Sequence, residues 1–140
     1  RHAGLYRPPQ WPLPAMWLHA AIMIYGLFSF FIFGFLMTAL PKWVAQGPLE
    51  QRHYVPPFLL LATGWGLFHA GLFVPGLLVP GLLLAAFGWG LGGLALLSSV
   101  RASMNGNKTH AWVVLSALGI GVCGLPILSA GILRVDPVLV

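Results

Sequence analysis

Four long apolar stretches separated by short polar connectors dominate this 140-residue chain, and each of the first two contains a histidine. About 20 apolar residues let a helix cross the ~30 Å hydrocarbon layer of a bilayer. An ionisable side chain within such a run is costly enough to need a reason. Only 6% of residues are charged and 59% are hydrophobic, and the mean hydropathy is +0.89. So few polar groups cannot cover a water-facing surface of this size, and the chain reads as a membrane protein whose first partner is the lipid bilayer.

Charge and cysteine usage narrow the classes further. Seven Lys and Arg against Glu50 and Asp136 give a formal charge of +5. All seven bases fall at or beyond the ends of apolar runs, where they anchor to anionic headgroups. A nucleic-acid groove would need them clustered on one folded face, so no nucleic-acid partner is expected. Cys123 is the sole cysteine, which excludes an intrachain disulfide and a thiolate metal cluster. Glu50 and Asp136 are expected on opposite sides of the membrane, so no paired carboxylates and no hydrolytic centre can be assembled.

The expected architecture is all-α: one membrane-embedded domain over residues 1–140, a polytopic transmembrane bundle of four antiparallel helices. The spans are predicted at about 15–40, 55–74, 80–100 and 111–133. Pro8, Pro9, Pro12 and Pro14 keep a helix from starting earlier. Pro41 is expected to stop the first span, with Lys42 and Trp43 marking its exit. Pro56 and Pro57 fit a first turn, whose amides lack partners anyway. The tandem Val74-Pro75-Gly76-Leu77-Leu78 and Val79-Pro80-Gly81-Leu82-Leu83 offers a tight reversal. Thr109 is a candidate N-cap for the last helix. The chain starts at Arg1, and its first apolar run is too long for a signal-peptide core, so it is expected to be part of a longer chain. Lys42, Arg52, Arg101 and Lys108 in the connectors face Arg1, Arg7 and Arg134 opposite, a small lean toward cytoplasmic connectors.

His19 near the start of the first span and His69 near the end of the second are predicted at similar depth in one leaflet, because the spans are antiparallel. A neutral imidazole ligates haem iron or copper through one nitrogen while the other donates to a neighbouring group. His19 and His69 are therefore the candidate metal ligands, facing a shared interior. Met16 and Met23 flank His19 at i−3 and i+4, so Met23 is a candidate soft cofactor contact. The plainer alternative has each ring bonded to a backbone carbonyl or reaching interfacial water, and the methionines packing. His53 and His110 sit at span ends and read as solvated, and His2 lies in the Pro-rich start and carries no signal.

Gly119-x-Gly121-x-x-Gly124 matches the dinucleotide fingerprint in letters only, since no strand precedes it and no acidic residue follows at the ribose distance. Close helix approach explains its glycines better. Gly88 with Gly92, and the ridge Ala62, Gly66 and Ala70, have the small-xxx-small spacing that lets backbones touch in lipid. Pro126 near Gly124 is expected to kink the last helix.

The run Trp17-Leu18-His19-Ala20-Ala21-Ile22-Met23-Ile24-Tyr25-Gly26, followed by Phe33-Gly34-Phe35-Leu36-Met37-Thr38-Ala39-Leu40-Pro41-Lys42-Trp43, resembles the NnrS family of bacterial haem- and copper-containing membrane proteins. In that family the first long helix opens with a Trp-His-Ala-His-Glu-Met-like stretch and leaves through a Gly-Phe-Leu-Leu-Thr-Ala-Val-Pro-Asn-Trp-like exit. His110-Ala111-Trp112-Val113-Val114 is similar to the start of a later helix there. The resemblance implies a multi-pass protein of the bacterial inner membrane, with haem and/or copper and a role in the response to nitric oxide or nitrosative stress. Family members are larger, which implies missing helices of the same chain or other membrane subunits. Ala21 stands where the family has a second His and Ile22 where it has Glu, so a site needing both imidazoles would be incomplete. Two rival readings follow from the residues alone: a transporter or channel segment with a His-lined polar path, and a structural membrane subunit assembling through its glycine faces.

Overall fold

The computed structural model describes residues 14–104 and 108–135. These form four helices and, among the described residues, no strand. Helix α1 runs over Ala15–Trp43, with a π-helical segment at Ile22–Leu27. Helix α2 covers Gln51–Gly71, α3 Leu78–Ala102 and α4 Thr109–Val135. The expected all-α bundle is present.

Three helices, α1, α3 and α4, are long and apolar enough to cross a membrane by length and composition. Helix α2 is not among those three. It begins four residues before its predicted start, so its first turn is Gln51, Arg52, His53 and Tyr54. Pro56 and Pro57 consequently lie inside the helix rather than in its first turn. Helix α2 lies antiparallel along α3. The closest approaches run Gly71 to Leu78, Phe68 to Gly81, Gly64 to Ala85 and Leu61 to Gly88.

Glycine makes that approach possible. A Cβ on Gly64 would stand 2.5 Å from the Ala85 amide nitrogen, and one on Gly81 2.5 Å from that of Phe68. Apolar side chains gain nothing by leaving lipid tails for each other, so association in a bilayer depends on such close packing. The expected ridge of Ala62, Gly66 and Ala70 does not make this contact. Gly66 and Ala70 are exposed and Gly66 has open space beside it; Gly64 and Gly71 take the role one helical face away. Gly88 and Gly92 do seat neighbours, Leu61 and Phe33 respectively. In the Gly-rich stretch of α4, Gly121 receives the Trp89 ring and Gly124 the Tyr25 hydroxyl, while Gly119 is open.

Helix α1 runs parallel to α3, as Phe33 meets Gly92 and the Ser103 hydroxyl donates to the Val44 carbonyl at 2.6 Å. Pro41 does not stop α1. It is buried in the last turn, and the helix closes beyond it when the Gln46 amide donates to the Pro41 carbonyl at 2.8 Å. Ala45 supplies the left-handed residue of that closure, with φ 54°. The two copies of the Val-Pro-Gly repeat diverge. The first makes the 3₁₀ turn Pro75–Leu77; the second lies in the opening of α3, where Gly81 serves helix contact instead of reversal. Helix α4 opens at Thr109, with the Lys108 carbonyl accepting the Trp112 amide at 3.0 Å, and continues through Pro126.

Candidate functional site

His69 occupies the last turn of α2. Its Nδ1 lies 2.7 Å from the Trp65 carbonyl oxygen. A carbonyl can only accept, so Nδ1 carries the hydrogen and the lone pair of the neutral ring is on Nε2. Edge contacts hold the ring, with centroids 6.1 Å from Trp65 and 6.0 Å from Phe68, and the residue is exposed. Nε2 is then the ring's remaining acceptor.

His19 is exposed near the start of α1. The π segment decides its direction. From Gly26 onward, Gly26, Ser29, Phe33, Leu36 and Leu40 form a regular buried stripe. Seven residues before Gly26, an unbroken α-helix would bring His19 onto that stripe. One inserted residue rotates everything before it by roughly 100°. Leu18 and Ala21 are buried instead, and His19 turns away from Tyr25 and Phe33, which face Trp89 on α3.

Depth and side can be read from the neighbours. The α1–α3 pairing continues back to set His19 near the level of Leu78, and the α2–α3 pairing sets His69 near Gly81. The two histidines are thus within about one helical turn of each other in depth. Trp65 of α2 packs its ring 3.6 Å from the Cβ position of Gly26 on α1. One turn beyond Trp65 and roughly 40° round, His69 lies away from the α3-facing residues Leu61, Gly64 and Phe68. Both residues are exposed, and His69 follows by one turn the Trp65 that packs on α1. They do not face an enclosed interior of the four helices, where Trp65, Phe68 and Leu78 fill the space at this level.

Met23 is half-buried within the π segment and Met16 is 76% exposed. No group of three or more His, Cys, Asp or Glu comes together among the described residues. His53 and His110 lie at the other end of the bundle, where His110 is exposed and His53 half-buried with its Nδ1 enclosed and unpaired. His2 lies outside the described residues, as does Asp136. The bond of His69 to the Trp65 carbonyl is the one the plainer reading expected, at i−4 spacing, whereas the π segment was not anticipated, since it depends on which residues the other helices bury.

Comparison with known families matches one described as NnrS protein over residues 2–139. Searches of curated proteins and of solved structures return no match. Covering nearly the whole chain, the family match agrees with the Trp17–Gly26 and Phe33–Trp43 stretches that carry the resemblance, and this helical membrane chain belongs to the NnrS family.

Proposed function

We propose that the chain binds haem, which His69 would hold through Nε2 with His19 as the second candidate ligand, in a nitric oxide or nitrosative-stress response. The orientation of His69 by the Trp65 carbonyl carries this reading. A haem needs only one or two axial imidazoles, whereas a closed copper site needs more donors than the two histidines and Met23 provide. Haem is therefore the better fit of the two. Once bound, its iron would supply nitric oxide binding and one-electron chemistry. The protein's own part is to fix the His69 tautomer, aim the ring outward and exclude water through the surrounding aromatic side chains. Apolar helical spans belong to the cytoplasmic membrane, since outer-membrane proteins are barrels, and this supports an inner-membrane location.

The channel reading needs histidines along an internal path, and both are exposed. The subunit reading assigns Gly88 and Gly92 to other chains, and both are occupied within this one. An optical titration of detergent-purified protein with haemin tests the proposal. His69→Ala should weaken binding at least tenfold, and His19→Ala should convert a six-coordinate spectrum to a five-coordinate one. Spectra and affinity unchanged in both variants would reject it.

A further inference from the structure

At the opposite end of the bundle the α1–α2 cleft widens into a cavity of about 810 Å³. Its origin is geometric. Both helices lean on α3, α2 through its glycines and α1 through Phe33 against Gly92, so a wedge stays open between them. Phe30 and Phe58 close its deep end in an edge contact with centroids 5.5 Å apart, and Phe33 and Leu61 form the floor. The mouth is polar, formed by Lys42, Gln46 and Tyr54.

Charge distinguishes that mouth. Glu50 is the only carboxylate among the described residues, and Arg52 already pairs with it at 2.8 Å. Lys42 is exposed and has no ion-pair partner among the described residues. Arg101 and Lys108 add positive charge at the same end of the bundle. From Phe30 to Lys42 the helix rises about 18 Å, close to the ~15 Å depth of one leaflet's hydrocarbon. An occupant must therefore be apolar over a leaflet's depth and anionic at its outer end.

We infer that this cavity is a binding site for an anionic phospholipid, with one acyl chain over the Phe33 and Leu61 floor, ending against the Phe30–Phe58 pair, and its phosphate at Lys42. The bilayer supplies this ligand at high local concentration, and a zwitterionic headgroup would bring its own cation beside Lys42, leaving the positive charge at this end of the bundle in excess. The site is independent of haem.

Native mass spectrometry of the detergent-purified protein with added phosphatidylglycerol or phosphatidylcholine tests it. Phosphatidylglycerol should be retained at least fivefold better, and Lys42→Gln should remove that preference. Gly34→Trp should lower retention of both lipids, because Gly34 lines the cavity and has nothing within 4 Å of its Cβ position to disturb. Equal retention of both lipids by the parent protein, a preference that survives Lys42→Gln, retention unchanged by Gly34→Trp, or displacement of phosphatidylglycerol by an isoprenoid quinone would each overturn the inference.

Discussion

His69 shows how a single backbone acceptor gives a side chain its chemistry. Without the Trp65 carbonyl its two tautomers would be comparable; with it, the nucleophilic nitrogen points away from the helix. Ala45 poses the opposite case, a side chain in a place that suits none. With φ 54° it adopts the left-handed conformation that closes α1 and positions Gln46 at the lipid cavity. An L-residue there costs about 1 kcal/mol more than glycine. Ala45→Gly should therefore stabilise the protein by about 1 kcal/mol, seen as a higher midpoint of thermal unfolding in detergent. A lower midpoint would count against this account of the helix end.

Among the elements, the π segment of α1 has the largest consequence. It exchanges His19 for Leu18 on the face that packs against the bundle. Such one-residue insertions persist where they serve a site, since they sacrifice regular helical hydrogen bonding. Deleting exposed Ile24 should restore an unbroken α-helix and return position 19 to the stripe of Gly26. A spin label at His19→Cys, in a Cys123→Ser background, should then lose accessibility to lipid-soluble oxygen and become immobilised. Unchanged label mobility in the deletion variant would show that the insertion does not set the direction of His19. The 21 residues of α2 make a complementary point. Its first turn is polar, and α3 provides the packing that holds it.

At the scale of the whole molecule, the α2–α3 pair is the spine on which α1 and α4 lean. Gly81→Ala should lower stability by roughly 1–3 kcal/mol, because the added carbon meets the backbone of Phe68 at 2.5 Å and backbone cannot yield as a side-chain tip can. Gly66→Ala on the open face of α2 should be neutral or stabilising by up to about 1 kcal/mol from helix propensity. Equal effects of the two in a detergent melt would contradict the assigned interface. Both glycines look alike in the chain, and so do the two Val-Pro-Gly repeats, since a local spacing rule cannot tell which face a neighbour will occupy. Helix number, the all-α class and membrane residence follow from apolar run length, which is a property of each segment taken in turn. The ridge that packs, the insertion in α1, the exposure of His19 and His69 and the wedge between α1 and α2 arise only when helices meet, because each depends on how closely backbones from distant parts of the chain can approach.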